Sequence, residues 1–162
     1  MKSSSRFGLA FVWSLSLWST VAKAENWREF RGPIGQGHSS ETNLPTTWSS
    51  TENVAWSVEI PGEGWSSPIY EAGKLYLTTA VSDGQGGYEL RAISLSAADG
   101  KILWNHAVFF QSKDETERIH RKNSHASPTP ITDGEFLYVH FGTHGTACLK
   151  LEDGSVVWKM KE

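Results

Sequence analysis

A seven-residue phrase occurs twice in this chain, as ADGKILW at 98–104 and as EDGSVVW at 152–158. Both copies place Asp-Gly the same distance before a Trp. The turn-forming residues around them recur in the same order. Ser67-Pro68 answers Ser127-Pro128, and Gly73 with Leu75 and Tyr76 answers Gly134 with Leu137 and Tyr138. Such a repeat constrains the fold more than any composition does, because each unit must be one supersecondary element that buries its apolar face on the next.

Between the turn residues lie short alternating runs. The first set is 65–70, 74–80, 88–95 and 101–109, and the second is 126–131, 135–141, 146–151 and 155–160. No run combines helical period with helical length. The 15 Gly and 8 Trp suit tight turns joining aromatic strands. The fold class read from this is all-β, with four strands followed by four strands. A four-stranded antiparallel unit that returns after roughly 50 residues is a propeller blade.

The blades are expected at 65–109 and 126–160. The earlier run NVAWSVEI, 53–60, puts Val54, Trp56 and Val58 on one face, and its NVAW is a partial copy of KILW and SVVW. It reads as a lone outer strand that would complete a last blade in velcro fashion. The expectation is therefore a partial β-propeller of about two four-stranded antiparallel blades plus one outer strand. Two blades do not close a ring, so the chain reads as the front of a longer protein or a truncated gene product. Gly100 and Gly154 close the turn between third and fourth strands, where φ > 0 is needed. Trp56, Trp104 and Trp158 are expected to cover the seam to a neighbouring blade, with the indole N–H on a backbone acceptor. On this reading the repeated phrase is architectural and not catalytic.

Residues 1–24 have the form of an export signal. Lys2 and Arg6 precede the apolar run 7–19, and Ala22-Lys23-Ala24 is a small-x-small cleavage site. Cleavage is expected before Glu25, leaving a periplasmic or secreted protein with no membrane span. Residues 25–52 read as an extended lead-in tacked onto the domain by Trp27, Phe30 and Trp48. The net charge of −3 and the lack of a basic run argue against a nucleic-acid partner. The single Cys148 makes no internal disulfide and reads as a buried, inert thiol.

At these residues the chain resembles the pyrroloquinoline quinone (PQQ) repeat β-propellers. That family's tryptophan-docking motif is written A-x-D-x-x-T-G-K-x-x-W. In 94–104 Gly100, Lys101 and Trp104 match it, while Ser94, Ser96 and Asp99 depart. In 148–158 only Gly154 and Trp158 match. The wider pattern, FRGP near the mature start, then NVAW, GWSSP, HASPTP and FGTHG, is similar to exported PQQ-like propellers of planctomycete-type bacteria. The resemblance covers roughly residues 26–162. It implies either a non-enzymatic scaffold, as in the outer-membrane assembly lipoprotein, or part of a quinoprotein dehydrogenase that holds PQQ and calcium in its central funnel. The dehydrogenases' adjacent cysteines have no counterpart here, and no catalytic residue carries over.

Propeller connectivity places several loops on one rim: the segment from Trp65, the loop 81–87, the long loop 110–125 and the GTHG at 142–145. Candidate binding residues there are Trp65, Asp83, His120, Arg121, His125 and His144. His140, His144 and Cys148 form an H-x3-H-x3-C string. A turn separates its members, so hydrogen bonding in tight loops is preferred to metal binding. The leading reading is an exported, non-catalytic binding or scaffold module without a cofactor, whose rim takes a protein or polysaccharide partner. The alternative is the N-terminal part of a PQQ-dependent dehydrogenase, with PQQ and calcium.

Overall fold

The structure, a computed structural model, describes residues 24–115, 119, 120 and 122–161. The export signal up to Lys23 and the candidate Arg121 lie outside them. Two antiparallel sheets account for the repeat. The first is ordered β1 (Ile69–Glu71), β2 (Lys74–Ser82), β3 (Tyr88–Ser96) and β4 (Ile102–Gln111). The second is ordered β5 (Ile131–Thr132), β6 (Phe136–His140), β7 (Thr146–Lys150) and β8 (Val156–Met160). The only helical pieces among the described residues are 3₁₀ turns at Lys113–Glu115 and Gly142–His144. Each sheet is a blade, and the chain is all-β.

Two expectations need correction. The innermost strands are much shorter than 65–70 and 126–131, because Pro68, Pro128 and Pro130 lack the N–H a ladder needs. Residues 54–60 pair with no strand among the described residues, although Trp56 occupies an outer-strand Trp's place.

The two Asp-Gly turns have the same geometry. Gly100 and Gly154 both have φ 71°, and their N–H groups donate to Ser96 O and Lys150 O, each at 2.9 Å. Asp99 Oδ1 accepts Lys101 N–H at 3.2 Å, and Asp153 Oδ1 accepts Ser155 N–H at 2.8 Å. Each outer strand then carries a bulge just before its Trp. Leu95 faces Ile102 and Ser94 faces Trp104, so Leu103 is the extra residue. Leu149 faces Val156 and Cys148 faces Trp158, so Val157 is the extra one.

Each of the first two tryptophans lies on the turn of the blade that follows it. Trp56 Nε1–H donates to Ala97 O at 3.0 Å, and its ring covers Gly100, where a Cβ would stand 2.5 Å from Cε3. Trp104 Nε1–H donates to Leu151 O at 3.4 Å, and its ring covers Gly154, where a Cβ would stand 2.8 Å from Cδ2. Glycine is thus required twice over, by φ and by the indole against its Cα. Tyr76 O–H also donates to Leu151 O, and His106 stacks on Trp104 with centroids 5.6 Å apart. His106 Nε2 lies 2.9 Å from Asp153 O; a carbonyl only accepts, so Nε2 carries the proton. Trp158 occupies the same register as Trp104 but remains 43 % exposed against 8 %, touching only Tyr138 among the rings.

The core spans both blades. Ile69, Leu90, Ala92, Trp104 and Val108 of the first form one buried cluster with Leu137, Val139, Phe141, Ala147 and Leu149 of the second. Cys148 is 2 % exposed, and burial raises its thiol pKa. The lead-in adds a clip across the inner strands. Trp27 and Tyr70 exchange both backbone bonds at 2.8 Å, and Thr132 N–H donates to Arg28 O at 3.1 Å. Trp27 packs on Gly32, but Phe30 and Trp48 are 57 % and 68 % exposed, so Trp27 alone of the three tacks the lead-in down.

Trp104→Ala removes the ring that joins the blades and should cost about 3–5 kcal/mol in denaturant melts. Trp158→Ala, at an exposed site, should cost under about 1 kcal/mol in the same chain. Equal costs would mean that the seam does not rest on Trp104.

Candidate functional site

The rim at the ends of β2, β3 and β4 is built on a glycine-bearing segment, 61–66, laid against β2. A Cβ at Gly64 would stand 2.7 Å from Thr78 O. Glu63 and Ala80 exchange both backbone bonds, at 2.9 and 2.8 Å, and Thr79 Oγ1 donates to Pro61 O at 2.7 Å. The segment then meets the second blade. Trp65 N–H lies 3.1 Å from Ala126 O and 3.2 Å from Ser124 Oγ. Ser67 N–H donates to Thr129 Oγ1, and Thr78 Oγ1 donates to Pro128 O, both at 3.2 Å. The GWSSP and SPT stretches that proline keeps out of the ladders therefore hold each other. Trp65 stands on this fixed backbone with its side chain in solvent, 58 % exposed.

Beside Trp65 lies a cluster that joins three loops. The Tyr88 ring, at the start of β3, stacks on His125 with centroids 4.2 Å apart and an interplanar angle of 28°. Burial lowers the His125 pKa below its ordinary 6.5; His144 lowers it further and Glu63 opposes them. His144 Nδ1 is buried without a hydrogen-bond partner. The structure thus brings His125 close to His144, and bonds the Trp65 backbone to Ser124 and Ala126 on either side of His125.

Other candidates lie apart from this cluster. His120 is exposed, and its Nδ1 accepts Lys122 N–H at 3.3 Å. Asp83 closes its own loop, with Oδ1 accepting Gln85 N–H at 2.7 Å and Gly87 N–H at 2.9 Å. It lines an outer pocket with Phe110 and Glu115. His140 Nδ1 is 3.0 Å from Thr146 Oγ1, while Cys148 is buried on β7. Among the described residues no three His, Cys, Asp or Glu side chains converge as metal ligands, and the H-x3-H-x3-C string does not assemble.

One site was not anticipated from the sequence. At the opposite face Glu71 is only 7 % exposed, and both its oxygens are taken. Arg28 bonds it through Nε and, at 2.9 Å, Nη2, while Asn26 Nδ2 donates to Oε1 at 2.9 Å. Arg28 Nη2 also reaches Gly134 of the second blade. A groove of about 500 Å³ opens between the blades beside it, lined by Lys74, Tyr76, Glu135, Lys150 and Glu152. Nothing in the local pattern around Glu71 marks it, because its partners lie 43 and 45 residues away.

The rim should loosen in acid through two groups. His125 has a folded pKa below 6.5, so the unfolded chain takes the proton first. Its contribution is complete above about pH 6.5 and is lost as pH falls toward the folded value. Glu115 is lowered from 4.5 to about 2 by Ser112 N–H and by Lys161. Its contribution is present above pH 4.5 and lost as pH falls through about 2. Hydrogen exchange of the 122–127 amides should rise in the first window, and His125→Gln should remove that rise. Carboxyl NMR should find the Glu115 value moved up by Lys161→Ala.

Residues 38–160 match the family described as outer membrane protein assembly factor BamB. No curated protein matches the chain. The matched span runs from within the lead-in to the end of β8, and so contains both blades and the two seated tryptophans. Two blades of one design, joined by a Trp laid on the next blade's glycine turn, are what a repeat of this kind requires, and the chain belongs to the PQQ-like repeat family described as outer membrane protein assembly factor BamB.

Proposed function

We propose that this chain is an exported β-propeller module that acts by binding, a non-catalytic scaffold holding a protein or polysaccharide partner at the Trp65 rim. One observation carries the reading: a large aromatic is held in solvent on a backbone fixed from two sides. Trp65 is 58 % exposed, while its N–H and that of Ser66 are bonded to the second blade. A pre-positioned aromatic gives contact area at little entropic cost, which is why Trp anchors so many interfaces. The family description, which names assembly of outer membrane proteins, supports a protein partner and an envelope location. The pattern at 1–24 supports export with cleavage before Glu25. No helix among the described residues is long and apolar enough to cross a membrane.

The module carries no PQQ or calcium of its own. This rests on the side chains of the rim: among the described residues no three His, Cys, Asp or Glu converge as ligands of a metal ion. Isothermal calorimetry with PQQ and calcium should give no stoichiometric binding; micromolar binding would instead favour a quinoprotein. N-terminal sequencing of protein from the native envelope should begin at Glu25.

A photo-cross-linking residue at Trp65 should capture one discrete partner in the native envelope, and the same residue at Ile34 should not. Ile34 is an exposed lead-in position. Identical products from both positions would refute the binding rim.

A further inference from the structure

A second rim feature is chemically distinct from the Trp65 surface. Between β3, β4 and the loop 83–87 lies an open pocket of about 410 Å³ lined by Asp83, Tyr88, Glu89, Phe110, Gln111, Ser112 and Glu115. Among the described residues no Lys or Arg lines it. Its most buried member is Gln111, 3 % exposed. Gln111 Nε2 donates to Glu115 O at 3.1 Å, which fixes the amide's orientation and leaves Oε1 as the other end. That Oε1 is buried and has no hydrogen-bond partner. An unpaired buried acceptor is costly, so Gln111 Oε1 lacks a donor that a ligand could supply. Phe110 stands beside it with 66 % of its surface exposed.

We propose that this pocket binds an arginine side chain of a partner polypeptide. The proposal rests on the reading of the rim as a binding surface and names one residue type that surface takes. The wall offers what a guanidinium uses: an aromatic face, carboxylate oxygens and an unsatisfied amide oxygen. A planar cation can lie on Phe110 while its several N–H groups reach acceptors in different directions. Lysine has a compact, strongly hydrated head and fits this mixture less well. Two of the acids are already paired from outside the pocket, Glu89 with Arg91 and Glu115 with Lys161. Asp83 has no ion-pair partner among the described residues, and its Oδ1 alone serves the loop. Asp83 is therefore the charge that an incoming cation reads.

The test uses the full chain and the probe peptide Gly-Gly-Arg-Gly-Gly, followed by NMR. The Gln111 side-chain amide and the Phe110 ring signals should shift saturably, with weaker binding as salt rises. The lysine peptide should bind about tenfold more weakly, and the citrulline peptide, isosteric but uncharged, should leave the signals in place. Phe110→Ala, at an exposed position, should weaken the arginine peptide about tenfold. Asp83→Asn keeps the Oδ1 acceptor that closes the loop and should weaken binding about threefold. Absence of shifts, equal response to citrulline or lysine, or full binding by Phe110→Ala would each overturn the proposal. A partner captured at Trp65 together with a silent peptide titration would leave the scaffold reading standing and remove only this one.

Discussion

An indole laid flat on a glycine is the contact on which the rest of this structure depends. Gly100 and Gly154 adopt a backbone conformation closed to most side chains, and their missing Cβ is the space in which Trp56 and Trp104 sit. The same ring that fills the space donates its N–H to a carbonyl of the turn. Apolar burial, backbone geometry and a polar bond are therefore satisfied by one pair of residues at each seam. The blade core is continuous across that seam, so neither sheet buries its faces alone.

The inner wall is joined by a different chemistry. Proline keeps 65–68 and 126–130 from extending the ladders, and the freed N–H, hydroxyl and carbonyl groups bond from one blade to the other. The lead-in's Arg28 and Trp27 close the opposite face against Glu71 and Tyr70. Outer, inner and lower contacts thus tie the two blades together below the rim loops. On that base the exposed Trp65 has a bonded backbone, and Tyr88 of β3 stacks on His125, which lies close to His144.

Much of the fold could be read from residue order. Asp-Gly followed by Trp, twice, locates the third turn and the fourth strand of each blade, because turn chemistry and strand alternation are local properties. The inner strands were less legible. Period alone suggests ladders through Ser67-Pro68 and Ser127-Pro128, whereas proline sends those N–H and C=O groups across to the other blade. The candidate site was legible only as a set of loops. That His125 comes close to His144 and flanks the bonds that hold Trp65, while Asp83 and His120 stand apart, depends on how far each loop folds over the blade end. Glu71 with Arg28 and Asn26, and the unpartnered Gln111, involve distances along the chain or burial states that no local pattern carries.

The sequence by itself determined the all-β class, the repeat and the turn positions, because these follow from φ restrictions, alternation and period. Only the tertiary structure decided what each copy of the repeated phrase does. Trp104 and Trp158 stand in the same register after the same turn and bulge, yet one is 8 % and the other 43 % exposed. Trp104 lies on Gly154 and donates to Leu151 O of the second blade, whereas Trp158 meets Tyr138 of its own blade. Burial belongs to the pair of surfaces that meet, and the identity of one residue supplies only half of it.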